Sequence, residues 1–539
     1  MRIEPINLKQ QSNLMKDYRN NEASIHSFFD YAAFGEWKHR YHDLQKNVFK
    51  RQELCDVLQS INKQWQAPES TQKNIQRLRQ SQAVTVIGGQ QAGLLTGPLY
   101  TINKLISIIQ LAREQEVALG VPVIPVFWIA GEDHDFAEVN HVYMCKEHQM
   151  QKHILKQQVH TKTSLTDMEM DHAKLKQWLD KLFEQLGETN HTKTLYHEIN
   201  SCLSSSNTFV DFFAKLIFCL FPKEGVVLID SGNKSVRQLE SDYFVEMVEN
   251  QPEISKAVCD SLDQLHSLGY TVNLPATPVD GHLFYYENGE RILLQRSKEK
   301  GWTNKQNSIY FTTEQLKQIA KDTPEKLNNN VVTRPLMQEK LFPNLAFIAG
   351  PGEISYWSTL KAAFHHLQMK MPPVVPRLSL SIIDRTTDKL LSHCQLSAEQ
   401  VINEGVSEAK EKWLATTSYP SIKKITQEVQ EQITKVHAPV RHLAASMRSD
   451  LGALADKNLD YIQNHIQYLE KRLIKELQLQ YQNDLATFDL LESTLHPENG
   501  LQERIWNPLP WLNMYGISFA NRLLQHTYSF NNSHYLIYL

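Results

Sequence analysis

A chain of 539 residues exceeds what one hydrophobic core supports and calls for roughly three or four domains or subdomains. Its 56 basic and 60 acidic residues leave a net charge of −4 with no long basic run, which removes the electrostatic footprint of a nucleic-acid binder. The opening MRIEPINLKQQSN has no apolar core and no window suits a bilayer, while six scattered cysteines without a CxxC pair imply free thiols, so a cytoplasmic protein with no membrane partner is expected.

In chain order, the first strong element is AVTVIGGQQ (83–91), a short β-branched run of the kind buried on both faces of a sheet. Glycines follow, and a helix opens at Gly97-Pro98, where the missing N–H of Pro98 would have no partner anyway. VPVIPVFWIAGEDHD (121–135), GVVLIDSGN (225–233), NLAFIAGPGE (344–353) and PVVPRLSLSIID (373–384) repeat the pattern of apolar strand, glycine or charge, then helix. Alternation of this kind predicts an α/β fold with a parallel, helix-covered sheet, whose ligands sit beyond the carboxyl ends of the strands. Between the strands, 151–200 is polar with a helical pattern at Leu175, Trp178 and Leu182, and 265–330 carries a hairpin signal about Asn288-Gly289. From 387 to 500 apolar residues recur at steps of 3 and 4. Ile422, Ile425, Val429, Ile433 and Val436 mark one helix and Leu459, Ile462, Ile466, Leu469, Leu473 and Leu477 a second, with 437–456 assignable to either or to a third. The chain returns to the core over 501–539, and the aromatic Trp506-Asn507-Pro508 region could stack a base. The expected boundaries are core at 1–150, 201–264 and 331–386, inserts at 151–200 and 265–330, a coiled coil at 387–500 and a returning segment at 501–539.

The unusual residues gather at the strand ends. Gly88, Gly89, Gly97 and Pro98 suggest backbone N–H groups offered to an anion at a helix start, although a tight βα turn would read the same way. In the following helix Tyr100, Asn103 and Lys104 share one face, with Lys104 as a point charge for phosphate. Glu132, Asp133, His134 and Asp135 form a run of ionisable groups that needs a cation, an amine or protons to offset repulsion. His134 could shuttle a proton, and Asp135 could equally cap the next helix. His141, Cys145 and His148 follow without a recognised zinc spacing, so no metal is assigned. Gly350, Gly352 and Glu353 repeat the glycine–carboxylate arrangement that accepts ribose hydroxyls, and Arg377 with Ser379 and Ser381 forms a third polar cluster. Gln90 and Gln91 stand where they could orient a reacting carboxylate.

These residues carry a resemblance. The loop entering Gly97-Pro98-Leu99 and its helix are similar to the nucleotide site of class I aminoacyl-tRNA synthetases, with Tyr100-Thr101-Ile102-Asn103 where that class has His-Ile-Gly-His. Gly350-Pro351-Gly352-Glu353 resembles its ribose clamp. Arg377 to Ser381 stands in the place of its Lys-Met-Ser-Lys-Ser loop, without the second lysine. VIGGQQAGLLTGPLYTINK, FWIAGEDHDFAEVNH, AFIAGPGEISYW and the coiled coil together resemble the bacillithiol biosynthesis cysteine-adding enzymes (BshC), over most of the chain.

The resemblance implies a Rossmann-like core with two connecting inserts, a long C-terminal coiled coil associated with a homodimer, and a ligase joining L-cysteine to glucosaminyl-malate. ATP, with Mg²⁺, would activate the cysteine carboxylate, and no structural zinc is expected. Charge stabilisation at the phosphate would fall to Lys104 and Asn103. Glu132 and Asp133 would hold an amine, and His134 or Asp135 would take its proton. A nucleotide-sensing scaffold without catalysis and a metal-dependent hydrolase centred on Glu132 to Asp135 are the alternatives.

Overall fold

The computed structural model describes residues 1–157, 163–287, 289–297, 301–417 and 421–539. All five predicted strands meet in one sheet: β1 (Val84–Gln90), β2 (Val123–Ile129), β3 (Val227–Asp230), β4 (Asn344–Ala349) and β5 (Val374–Pro376). Every pairing is parallel and the spatial order is β5-β4-β1-β2-β3. The β-branched and aromatic runs explain this, since β2 and β4 are buried along their whole length, as strands covered by helices on both faces must be. Strand order reverses at β1, so a crevice opens between the carboxyl ends of β1 and β4.

Gly88 and Gly89 lie inside β1, paired with Phe127 and Trp128, and do not form an open phosphate loop. A Cβ on Gly89 would stand 2.4 Å from the Trp128 carbonyl oxygen, and one on Gly88 2.9 Å from that of Ile348. Glycine here lets neighbouring backbones approach. The loop beyond contains the left-handed residues Leu95, Thr96 and Gly97, with φ of 49°, 73° and 72°. Helix α1 (Tyr100–Leu119) begins two residues after Pro98, and its first half is buried against β1 and β2. Helices α2 (Thr333–Leu341) and α3 (Pro351–Trp357) flank β4.

The fifth predicted strand divides. Only Val374–Pro376 stays in the core sheet, while Leu380–Ile383 joins Arg2–Ile6 and His534–Tyr538 in a separate three-stranded sheet. Within 151–200, Leu175, Trp178 and Leu182 are the buried face of helix His172–Gln185. Within 265–330, strands Asp280–Glu287 and Glu290–Ser297 pair in a five-stranded antiparallel sheet. Gly289 has φ of 81° at their turn, and Asn288 lies outside the described residues.

The heptad region is a helical hairpin of α4 (Ile422–Met447) and α5 (Ser449–Gln480), broken at the extended Arg448. Residues 437–447 therefore continue the first helix and 449–456 begin the second. Thr426 to Glu470, Gln463 to Thr434 and His437 to Asn458 bond across the pair at 2.8, 2.9 and 3.1 Å and set its register. Helix α6 (Gln482–Leu495) returns to the base, where Phe488, Leu491 and Leu495 pack with Ile383, Val401 and Ile402 in a core of their own.

Candidate active site: a basic cleft where the strand order reverses

The crevice between β1 and β4 holds a cavity of about 370 Å³, lined by Gln90, Gln91, Tyr100, Lys104, Asp133 and Glu353 among others. The first turns of α1 carry Lys104 under the end of β1, where its ammonium donates to the Gly89 carbonyl and the Gln90 side chain at 2.6 and 3.3 Å. Its third partner is Glu353 Oε2 at 2.6 Å. That same oxygen accepts from the Gly350 N–H at 2.6 Å, capping α3. Lys104 is 1% exposed. Burial pushes its pKa down, and Glu353 works in the opposite direction. Lys104 is therefore less an outstretched phosphate ligand than a tie across the crevice, holding together the two strand ends that form its walls.

Asn103 points to another partner. Its amide donates to Glu503 Oε2 at 2.6 Å, and Arg377 grips both oxygens of Glu503 at 2.7 Å. All three are buried. Asn103 is absent from the cleft wall, so its expected role at the phosphate is not realised, whereas Arg377 reaches the wall with its guanidinium 5.6 Å from the Tyr100 ring centroid. Ser379 and Ser381 do not form a cofactor loop either. Their hydroxyls bond to the two ring nitrogens of His534 at 2.8 and 2.9 Å. Burial pushes the His534 pKa down to about 4, so the ring is neutral.

Of the acidic run only Asp133 lines the cleft. Glu132 is buried behind it and pairs with Arg334 at 2.9 Å. Asp133 Oδ1 takes Arg291 at 3.0 Å and Arg334 at 3.3 Å, and Oδ2 accepts from Gln91 at 3.3 Å. Burial opposes ionisation of Asp133, yet the two guanidinium groups hold its carboxyl below the usual range. His134 and Asp135 lie outside the cleft lining. Asp135 is exposed ahead of helix Phe136–Val139 and makes no side-chain cap bond, so the capping alternative is not realised.

The repulsion foreseen in the acidic run is thus relieved by arginines that sequence spacing does not connect to it. Carboxylates already paired in this way are poor ligands for a divalent ion, which weighs against Glu132 and Asp133 as donors in the hydrolase alternative. Among the described residues no three His, Cys, Asp or Glu gather to hold a metal.

Gly97 and Pro98 face a separate cavity of about 30 Å³ beside the cleft, sharing Gln90, Gln91 and Tyr100 with it. The loop before α1 is pinned from the C-terminal segment. Asn507 donates to the carbonyls of Leu95 and Gly97 at 3.0 and 2.8 Å, and the Leu99 N–H donates to the Trp506 carbonyl at 2.8 Å. Trp506 is buried, its ring 5.1 Å from Trp511 and its N–H on the Ser493 carbonyl, so it is no platform for a base.

Arg291, Arg334, Glu503 and Arg504 were not foreseen. None sits in a glycine-rich strand end, the signal that located the others. The cleft wall carries Arg334, Arg377, Arg504 and Lys104 with Asp133 and Glu353, and Glu132 and Glu503 pair with Arg334 and Arg377 from behind it. A larger cavity of about 790 Å³ adjoins it past Pro351, Tyr356 and Arg377.

Comparison with known proteins agrees with this architecture. Residues 1–378 match the family model described as bacillithiol biosynthesis BshC, N-terminal Rossmann-like domain, and residues 380–539 match its C-terminal coiled-coil domain. Relatives named "Putative cysteine ligase BshC" from Oceanobacillus iheyensis, Geobacillus sp. WCH70 and Anoxybacillus flavithermus are 43%, 39% and 37% identical, each over 100% of both chains. A solved structure titled "putative arginyl t-RNA synthetase" from Campylobacter jejuni covers 88% of this chain and 98% of its own at 10% identity. Its TM-score of 0.23 carries no argument.

Proposed function

The chain belongs to the BshC family of bacillithiol biosynthesis, and from that premise we propose that it is an ATP-dependent ligase adding L-cysteine to glucosaminyl-malate. The observation that carries the reading is the cleft at the reversal of strand order, lined by Arg334, Arg377 and Arg504, the first two held in place by Glu132, Asp133 and Glu503. In the proposed reaction a cysteine carboxylate oxygen attacks the α- or the γ-phosphorus of ATP and displaces pyrophosphate or ADP respectively, giving a mixed anhydride. The glucosamine nitrogen then attacks the acyl carbon, loses a proton to solvent, and expels AMP or phosphate respectively as the amide forms.

Gln90 and Gln91 orient the carboxylate, and the arginines offset charge on the phosphates. Lys104 keeps the two walls in register. Glu353 Oε1, the oxygen opposite its cap and ion pair, meets the ribose hydroxyls. Mg²⁺ would be carried on the triphosphate, because Glu132 and Asp133 already have arginine partners. We extend the proposal to a homodimer formed through α4 and α5, whose apolar residues Val436, Leu443, Leu469 and Leu473 are exposed on the single chain.

Mass spectrometry of purified protein with ATP, cysteine and glucosaminyl-malate tests the reading. Bacillithiol together with AMP or ADP is the expected result. Tight nucleotide binding with no product from any combination would favour the non-catalytic scaffold and overturn the ligase.

A further inference from the structure

The cavity beside the cleft is small, bounded by mixed polar and apolar walls, and lined by a polar side chain that the fold leaves without a partner. Its volume of about 30 Å³ is roughly that of two water-sized groups, at about 10–15 Å³ each. Thr101, on the first turn of α1, lines it, is 1% exposed, and its hydroxyl has no hydrogen-bond partner. His141 is half-buried in the same wall, its ring hydrogen-bonded to the Ala137 backbone. Val139, Val142, Pro98 and Ile505 supply apolar surface. Buried polar groups are ordinarily paired, so the Thr101 hydroxyl marks a place where a ligand atom is awaited.

The cavity also adjoins the position assigned to the reacting carboxylate. Gln90 and Gln91 line both spaces, and Gln91 donates to Glu138 Oε2 at 2.9 Å as well as to Asp133. An amino acid with its carboxylate at Gln90 and Gln91 would have its side chain within reach of this cavity. Its ammonium group would have Glu138, an exposed carboxylate on the rim, as counter-charge.

We propose that this cavity is the subsite for the cysteine side chain, with the thiol against Thr101 Oγ1 and the ammonium group on Glu138. The assignment rests on the ligase reading and gives it a source of amino-acid selectivity that needs no metal. A CH₂–SH group fills two small-atom positions. A thiol behaves as a small hydrophobe with a weak S–H donor, so it loses little on leaving water for walls that are half apolar. The small volume disfavours side chains larger than cysteine. Alanine leaves the space unfilled, a deficit of the kind that costs about 10–200-fold per missing group in such pockets.

Two variants test it. Thr101→Leu places a larger apolar side chain in the cavity wall, and Thr101→Val removes the hydroxyl while keeping the shape. Thr101→Leu is expected to raise the KM for cysteine at least tenfold, leaving the KM for glucosaminyl-malate and the melting temperature close to wild type. Thr101→Val is expected to narrow the kcat/KM preference for cysteine over alanine. Calorimetric titration of wild type and Thr101→Leu with cysteine alone gives a readout independent of turnover. Binding to wild type that is lost in the variant supports the subsite. An unchanged cysteine KM, equal binding by both proteins, or no cysteine binding to wild type overturns it. Absence of bacillithiol while cysteine still binds in this cavity would instead count against the ligase reading and leave the subsite standing.

Discussion

Glu503 holds Arg377 through both carboxylate oxygens and takes the Asn103 amide as well, so one buried side chain from the returning segment orients a cationic wall of the cleft. Removing one member of a buried pair strands the other's charge, which costs about 3–5 kcal/mol, whereas replacing both with apolar groups is often neutral. Glu503→Ala is therefore expected to lower unfolding free energy by roughly 3 kcal/mol in urea titration. The double change Glu503→Leu with Arg377→Met should recover most of that loss while the KM for ATP stays raised. Recovery of stability together with a wild-type KM would remove Arg377 from the site.

His534 makes a separate prediction. Its folded pKa of about 4 lies below the ordinary value of 6.5, so between these limits the unfolded chain binds more protons than the folded one. Stability should then fall as pH drops from about 6.5 toward 4, by an amount on the order of 3 kcal/mol for a shift of this size. His534→Asn should flatten that part of the profile, as followed by thermal melts across the range.

The strand β1 and its loop show how one motif serves two physical ends. Gly89 is needed inside the sheet, where a Cβ would stand 2.4 Å from the Trp128 carbonyl oxygen, while Gly352 on α3 has nothing within 4 Å of its Cβ position. Gly89→Ala is expected to cost about 1–3 kcal/mol through strand displacement, and Gly352→Ala close to nothing in stability. Because Gly352 lines the cleft, its methyl group should appear instead as a weaker KM for ATP. Equal destabilisation by the two would contradict this division. The left-handed Leu95 and Thr96 are held against their preference by Asn507, an example of strain supported from a distant segment. α1 itself follows from its sequence. What its spacing did not disclose is that Asn103 and Lys104, adjacent residues, reach different partners, one at Glu503 and one at Glu353.

Across the whole molecule, the hairpin of α4 and α5 projects with little of its surface buried, Thr426, Gly452 and Leu459 being its buried residues. Leu469 and Leu473 are 52% and 43% exposed, and a stripe of this kind is stable in water when a second copy covers it. Leu469→Glu with Leu473→Glu should convert the proposed dimer to a monomer in sedimentation velocity. A wild-type monomer at micromolar concentration would refute the dimer.

Element identity was readable along the chain because it depends on neighbours. Apolar, β-branched runs ending in glycine or charge located all five strands, and steps of 3 and 4 located both long helices. Glycine at the strand ends pointed to the edge of the sheet where the cleft opens. Pairing of charge was not readable, because it depends on approach between remote segments. Asp133 meets Arg334 across 201 positions, Lys104 meets Glu353 across 249, and Arg377 meets Glu503 across 126. Those meetings turned an apparent acidic site into a cleft of paired charges, and turned two serines and an asparagine from ligand contacts into supports. Local pattern dictates which backbone each stretch adopts. The charge a site presents is what remains after folding has matched each ionisable group with its neighbours in space.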